Sequence, residues 1–273
     1  MRSEEGRSRE LNDRGVALLI ALLVTTLLMA LVVEFAYGTR VSLRAAVNFR
    51  DSQRAYYLAR SGVTFAGKVL AENLKNGKLQ ANLEQRELMP VPIVSEGETV
   101  LTVTWEDEAG KIGIANVGTG QPSLARLEKL FEAKSVSTDV LDRIREKRSF
   151  KLLGELHQVM SDEEFAKVQN ALSVYATGQV DINTASPDVL QSLGMSPSLV
   201  SLIIEKRGRE PFDTREKINA FPGMDTTTAG MLDVTSNVFT VHANATVGGY
   251  TKQAEAVIIR NAGGFTALYW KIL

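Results

Sequence analysis

The chain has 273 residues and carries 31 Lys and Arg against 32 Asp and Glu, so its charges nearly cancel. Proteins that bind polyanions usually show a basic surplus, and the bulk charge therefore argues against nucleic-acid binding. Cysteine is absent, which excludes disulfides, thiol nucleophiles and cysteine-ligated zinc sites. The only histidines, His157 and His242, are too far apart in the sequence to form a zinc-binding motif.

An apolar run lies near the N-terminus, from Val16 to Val33. Its eighteen residues carry no charge, and only Thr25 and Thr26 are polar. As a helix the run is about 27 Å long, close to the thickness of the hydrocarbon core of a bilayer. The run therefore predicts a membrane-inserted helix.

The helical pattern continues beyond this run, and no proline occurs before Pro90. Apolar residues recur mostly at steps of three and four, which predicts one helix from Val16 to about Asn73, half in lipid and half packed on a soluble domain. The members of this stripe are Ala45, Phe49, Tyr56, Ala59, Val63, Ala66, Leu70 and Leu74. A plain anchor and a signal peptide cleaved after Ala36-Tyr37-Gly38 are the alternatives, but a cleaved signal gives no reason for this continuity.

A hydrophilic leader, residues 1–15, precedes the apolar run and ends in Arg14-Gly15. Such a leader followed by this two-part helix resembles the class III signal of type IV pilins and pseudopilins. The segment RGVALLIALLV is especially similar to the K-type minor pseudopilins of type II secretion systems. The resemblance implies that a prepilin peptidase cleaves after Gly15 and methylates the new N-terminus, Val16.

Residue 20 departs from the general pilin pattern. Most pilins carry glutamate at the fifth mature position, and this sequence has Ile20 there. A carboxylate in lipid costs about 2.5–3.5 kcal/mol, so it is retained where a neighbouring N-terminal amine pairs with it. A subunit without it gains nothing from docking beneath another and is free to be the first one in, at the tip. The alternative is that Ile20 is one more lipid-facing aliphatic of an ordinary anchor.

The soluble part shows strand signals at its two ends. Thr99–Asp107 alternates as a half-buried strand, and Lys111–Ala115 is a short candidate strand. Strand patterns then return only at Asn237–Val247 and Tyr250–Arg260, which flank Gly248-Gly249 as a hairpin does. The apolar segment Gly264–Leu273 is too short to span a bilayer and is either an exposed strand or a contact for a partner.

These patterns predict an α+β fold, with a pilin-like long helix packed on an antiparallel sheet and an inserted all-helical domain. The predicted divisions are 1–15 as the leader, 16–35 as the transmembrane half-helix, 36–120 as the amphipathic helix and first strands, 121–235 as the insert, and 236–273 as the final strands and tail. Within the insert, Ser161–Glu164 reads as a capping box, and Ser186, Ser196 and Thr214 begin further helices.

The segment 181–225 is similar to the helix-hairpin-helix modules of competence-type DNA receptors. Such modules point the backbone N–H groups of a Gly-x-Gly turn at a phosphate. Here the turns at Gly194 and Gly223 lack the second glycine, and Asp225 stands where a phosphate is expected. The region 181–233 contains five basic and eight acidic residues, a net charge of −3. The module is therefore predicted to pack against protein rather than DNA.

Two acidic clusters, Glu106-Asp107-Glu108 and Ser161–Glu164, have the oxygen ligands that calcium prefers, and the resemblance makes calcium plausible in the soluble domain. No calcium-loop motif is present, and helix capping explains the second cluster fully. No cofactor is therefore assigned. Catalytic signatures such as G-x-S-x-G and the P-loop are absent, and we expect no enzymatic activity.

The resemblance implies a minor pseudopilin that caps the tip of the type II secretion pseudopilus and nucleates its assembly for export of folded proteins across the outer membrane. Its implied partners are the I- and J-type minor pseudopilins, the prepilin peptidase and the inner-membrane assembly platform. The implied location is the inner membrane, crossed once, with the soluble domain in the periplasm. A membrane-anchored DNA-uptake receptor and a type IV pilus minor pilin are the alternatives.

Overall fold

The computed structural model describes residues 4–75, 99–115, 117, 121–147, 149–176, 178–261 and 263–273. The chain forms two compact units, Met1–Arg54 and Ala55–Leu273. The first three residues of the predicted leader lie outside the described residues.

Helix α1 runs from Glu4 to Lys75. It confirms the predicted uninterrupted helix from Val16 to about Asn73, and it also includes the leader from Glu4 onward, whose Glu, Arg and Leu residues are good helix formers. Within the part of the chain that the structure describes, α1 contains the one segment apolar enough to cross a membrane, with a mean hydropathy of 3.0 over its best window. None of that window is buried against protein.

The main sheet has four antiparallel strands in the order β1-β6-β7-β8. Their bounds are β1 Thr99–Asp107, β6 Val238–Val247, β7 Tyr250–Asn261 and β8 Gly264–Ile272. The predicted hairpin is confirmed, because Val247 pairs with Tyr250 across Gly248 and Gly249. Both glycines have positive φ (55° and 83°), which is what a two-residue hairpin turn requires. The C-terminal segment is a strand, as one of its two interpretations predicted.

The second half of α1 packs on this sheet through small residues. Ala59, Val63 and Ala66 are fully buried and share a core with Val103, Val241, Ala243, Ala256 and other inward-facing sheet residues. A Cβ at Gly62 would lie 2.9 Å from the Cβ of Ala243, and one at Gly67 would lie 2.6 Å from the Phe265 ring. The helix thus approaches the sheet more closely than larger side chains would permit.

Between β1 and β6 lies the insert, which has its own apolar core around Leu127, Phe131, Leu172, Ile182 and Phe212. Its α-helices are α2 Gln121–Ala133, α3 Thr138–Lys147, α4 Asp162–Val168, α5 Pro187–Ser192, α6 Pro197–Arg209, α7 Arg215–Asn219 and α8 Thr226–Gly230. The predicted caps are confirmed: the side chains of Ser161, Ser186, Ser196 and Thr214 each accept a bond from a first-turn backbone N–H.

Between β1 and β6 the described chain also forms short strands. The sequence predicts only the first of them, β2 (Ile112–Gly113). This strand pairs in parallel with β3 (Leu172–Ser173), and β4 (Val180–Asp181) pairs in parallel with β5 (Leu232–Asp233). The expectation that no strand occurs between about residue 115 and residue 237 is therefore wrong. Pairs of two residues are too short to show an alternating pattern.

Replacing Gly62 with valine should destabilise the fold by about 1–3 kcal/mol, because the new side chain has no room between α1 and the sheet. Urea unfolding of the full chain in detergent micelles, followed by fluorescence of Trp105 and Trp270, measures the change. The matched control is Gly208→Val in α6, where nothing lies within 4 Å of the added Cβ. Equal stability of the two variants would contradict the close packing.

Candidate functional site

The predicted processing residues lie on one uninterrupted stretch of α1. Gly15 has no heavy atom within 4 Å of a Cβ position, and Val16 and Ile20 are 51% and 59% exposed. Val16 and Ile20 are four residues apart and therefore share one face of the helix. All three positions are accessible, and no side chain in the described part of the chain covers them.

The two polar residues of the apolar run satisfy their own hydrogen bonds. Thr25 Oγ1 donates to the Ala21 carbonyl at 2.7 Å, and Thr26 Oγ1 donates to the Leu23 carbonyl at 2.9 Å. A lipid environment supplies no hydrogen-bonding partner, so polar groups placed there must pair within the protein. The run from Val16 to Val33 therefore meets the chemical requirement for insertion as well as the length requirement.

The two glycines predicted at helix-hairpin-helix turns do lie between helices. Gly194 follows α5 and precedes α6, and its φ is +97°. Gly223 follows α7 and precedes α8, and its φ is +85°. Residues other than glycine rarely adopt such φ values, which explains why glycine occurs at both turns.

The N-termini of the helices that follow these glycines are capped by side chains of the chain itself, Ser196 at α6 and Asp225 at α8. At α8, Asp225 Oδ1 accepts the backbone N–H groups of Thr227 and Thr228, both at 2.9 Å. Hydrogen bonds from Thr228 hold the pKa of the Asp225 carboxyl below its usual range, so it is ionised. A phosphate there would meet a negative charge instead of free N–H donors. Near Gly194 one cation, the Nζ of Lys129, lies 3.1 Å from the Cβ position.

A buried junction, which no sequence pattern predicts, joins the insert to the sheet. Thr184 Oγ1 donates to Asp107 Oδ2 at 2.6 Å, and Asp181 N–H donates to the Ala109 carbonyl at 3.0 Å. The chain approaches closely here, since a Cβ on Gly110 would lie 2.5 Å from Thr184 Oγ1. Asp107 belongs to the acidic cluster Glu106-Asp107-Glu108, but its buried carboxyl accepts hydrogen bonds from Thr184 and from the Ala109 N–H at the end of β1.

Two buried carboxyl groups face each other at this junction. Asp181 is fully buried, and its Oδ2 atom has no hydrogen-bond partner. Burial raises the pKa of Asp181 well above its usual range, and the charge of Asp107 raises it further. Burial also raises the pKa of Asp107. The pair therefore favours a state in which it keeps a proton.

Arg260 of β7 is a cation whose charge interacts with this pair. It is 3% exposed, and it donates to the backbone carbonyls of Ser236 and Leu70. Burial lowers its pKa to about 10, while the charges of Asp107 and Asp181 act in the opposite direction. The arginine remains charged at neutral pH and partly compensates the buried acids.

The remaining acidic residues of the two predicted clusters have partners within the chain. Lys111 Nζ lies 3.2 Å from Glu106 Oε2 and 3.0 Å from Glu108 Oε1. Glu164 accepts the N–H of Ser161 at 3.0 Å and completes the capping box of α4. Across the described ranges, no three acidic or histidine side chains are grouped so that they could hold a metal ion.

Comparison with known proteins gives a match to a family model and matches to solved structures. Residues 180–242 match the family model described as type II secretion system (T2SS), protein K. No curated protein matches the sequence. The fold is similar to a chain in the crystal structure of the GspK-GspI-GspJ complex from the enterotoxigenic Escherichia coli type 2 secretion system, with a TM-score of 0.67. That alignment has 17% identity and covers 85% of this chain and 99% of the other.

The predicted fold class and the predicted resemblance to K-type minor pseudopilins are confirmed by these matches. The matched segment begins at β4 and ends in β6, so it contains Asp181 of the junction and both glycine turns. The identification of those turns as a helix-hairpin-helix module remains a prediction, as do the division of the chain into domains and the roles of Gly15, Val16 and Ile20.

Replacing Asp181 with asparagine should make the protein more stable at neutral and alkaline pH. An acid whose pKa is raised by folding stabilises the fold least above its folded pKa, since the folded state then holds an unfavourable charge. Wild-type stability should fall as pH rises from the usual aspartate range toward the raised pKa of Asp181, and the variant should keep only the smaller slope that comes from Asp107. We expect a gain of about 1–3 kcal/mol at pH 8.

Urea unfolding of both proteins from pH 4 to pH 8 measures this difference. The matched control is Asp142→Asn, which changes an aspartate that is 71% exposed on α3. The control should be nearly neutral. A stability difference between Asp181→Asn and wild type that does not grow with pH would show that Asp181 is ionised in the folded protein at low cost.

Proposed function

We propose that this protein is the K-type minor pseudopilin of a type II secretion system and caps the tip of its pseudopilus. The observation that carries the proposal is the protein K match over residues 180–242, in a chain whose fold is a long helix on an antiparallel sheet. The chain spans nearly the whole length of the similar chain in the GspK-GspI-GspJ complex. By that likeness, its partners are two other minor pseudopilins, of the I and J types.

The proposed place of the first unit is the inner membrane. The large apolar side chains between Val16 and Val33 are 45–72% exposed, which is a surface that water disfavours and lipid accepts. In this proposal the peptidase hydrolyses the bond between Gly15 and Val16, and residues 1–15 are lost. The helix that remains begins with a free amine at Val16 and crosses the bilayer once, and the second unit lies in the periplasm.

The proposed tip position rests on two features that act in the same direction. Ile20 supplies no carboxylate for the N-terminal amine of a subunit already in the membrane, so the chain has no favoured position beneath another one. The insert between β1 and β6 adds a second apolar core to the pilin-like part. A subunit of this size is difficult to cover with another, and its role is to start the filament rather than to extend it.

The function proposed is mechanical, and no chemical step is assigned to the chain. The buried polar groups at the junction contact one another and hold the insert to the sheet. Both histidines lie outside this junction, His157 beside Asp162 and His242 on β6. A nucleating subunit needs a stably attached insert, because its soluble part must transmit force while the helices of other subunits are added below it.

Mass spectrometry of the mature N-terminus tests the processing step. In cells that contain a prepilin peptidase, we expect the purified protein to begin at a methylated Val16. Gly15→Val should leave the leader attached, because the peptidase of this family cuts after glycine. Gly38→Val is the matched control, since both glycines lie on α1 with nothing within 4 Å of an added Cβ.

The control variant should still begin at Val16. An intact Met1 in the wild-type protein, or a terminus near Gly38 or Thr39, would contradict the proposed processing and with it the pseudopilin assignment.

Titration of fluorescent duplex DNA at low salt separates the proposal from a DNA-uptake receptor. We expect no saturable change in anisotropy at micromolar protein, because Asp225 occupies the helix end that would hold a phosphate and the region is acidic. The Asp225→Asn variant, which lacks that charge, is titrated beside the wild type. Micromolar binding by the wild type would favour the receptor.

A further inference from the structure

Strand β8 forms one edge of the main sheet. Natural sheet edges are normally blunted by charges, proline or short strands, because an open edge pairs with other chains. From Gly264 to Ile272 this strand has one charged residue, Lys271, and no proline. Leu268, Trp270 and the terminal Leu273 are 51%, 37% and 60% exposed. Within the part of the chain that the structure describes, no strand pairs with the outer side of β8, and the strand itself lacks most of the usual protection.

The hydrogen-bonding direction of this edge can be worked out from its last residue. Leu273 and Gln253 exchange both of their backbone bonds, at 2.8 and 3.2 Å. Bonded and non-bonded pairs alternate in an antiparallel ladder, so the backbone groups of Ile272 and Trp270 point away from β7. A bulge between Val257 and Ile258 leaves Leu268 out of register and limits the regular edge to the residues after it.

Side chains that face each other across neighbouring strands form rows on the sheet. The rows that end on β8 indicate which residues an added strand would place there. One row runs through His242 and Glu255 and ends at Lys271; the next runs through Thr240 and Val257 and ends at Tyr269. Lys271 is exposed and forms no ion pair within the described part of the chain. Opposite charges on directly facing strand residues are favourable, so an acidic residue fits beside Lys271 and an apolar one beside Tyr269.

A cleft adjoins these two row ends. It has a volume of about 460 Å³ and lies between the insert and this side of the sheet, with Tyr269, Lys271, Glu255 and Tyr175 among its lining residues. On the other side of the sheet, the rows end at Trp270 and Ile272 after the buried residues Ala256 and Ala254. An added strand would thus find an apolar side and a side with polar and aromatic contacts. This combination of open backbone groups and side-chain pockets is how sheet edges recognise extended peptides.

We infer that β8 binds an extended segment of a partner protein as a fifth, antiparallel strand, with an acidic residue opposite Lys271 and apolar residues beside Trp270 and Tyr269. The inference goes beyond the proposed function, because anchoring and capping require no sheet edge. The inference depends only on the second unit. It can therefore fail while the pseudopilin assignment stands, and the assignment can fail while the inference stands.

Fluorescence anisotropy with a labelled hexapeptide, Thr-Val-Glu-Val-Phe-Thr, tests the inference on the full chain in detergent micelles. Aligned antiparallel, this peptide places Glu opposite Lys271 and Phe opposite Tyr269. We expect saturable binding that weakens about threefold when the Glu is replaced by Lys. Lys271→Glu in the protein should reverse that preference, whereas Lys129→Glu, an exposed lysine on α2, should leave it unchanged.

A peptide with N-methyl groups on the two valines keeps every side chain and removes the N–H donors that point at β8. We expect it not to bind. Equal binding of the methylated peptide, or no binding of the parent peptide, overturns the inference. Sedimentation experiments test for a homodimer. A homodimer that is lost in Lys271→Glu and is unaffected by the peptide would also overturn the inference, because a second copy of the chain would then occupy the edge.

Discussion

Small side chains line both sides of the contact between the second half of α1 and the sheet, and this close approach governs what the helix can do. Ala59, Val63 and Ala66 are fully buried, and Gly62 leaves room for Ala243 of β6. Burial on this face fixes one register between helix and sheet, since a shift of one residue would place larger or charged side chains in the gap. The apolar run of α1 belongs to the other unit, and none of its most apolar window is buried against protein. Its apolar surface remains available for lipid and for other helices.

The position of the insert follows from the pairing of β1 with β6. Asp107, at the end of β1, lies directly opposite Phe239, so the two ends of the inserted segment are neighbours in the sheet. A long insertion between adjacent ends costs little, since the entropy of loop closure grows only slowly with length. The Thr184–Asp107 bond and the backbone bond from Asp181 to Ala109 then fix the insert against the sheet. Placing two acids here is costly; their raised pKa values favour protonation, which reduces that cost, and Arg260 reduces it further.

Features that depend on local sequence could be predicted, and those that depend on distant pairing could not. The length of α1, the Gly248-Gly249 hairpin and the cap at Ser161 each follow from a few consecutive residues. The parallel pairs β2–β3 and β4–β5 join segments tens of residues apart and are only two residues long, so no periodic pattern announced them. Asp107 and Asp181 likewise meet only in the folded chain, which is why the sequence suggested only that Glu106-Asp107-Glu108 could supply oxygen ligands for calcium. In the candidate site, the glycine turns could be located from the sequence, but what occupies their helix ends could not.

The same turn between short helices can serve DNA binding or protein packing, and the chemistry at the helix end decides between them. A phosphate binds where first-turn N–H groups are free and the surroundings are basic. In this chain Asp225 takes two of those N–H groups at α8, and its carboxyl stays ionised because Thr228 donates to it. At α6 the Ser196 hydroxyl takes another, from Leu199. With these N–H donors bonded internally, each helix is capped by a side chain of the chain itself. The chemistry at these helix ends therefore favours packing against protein over phosphate binding.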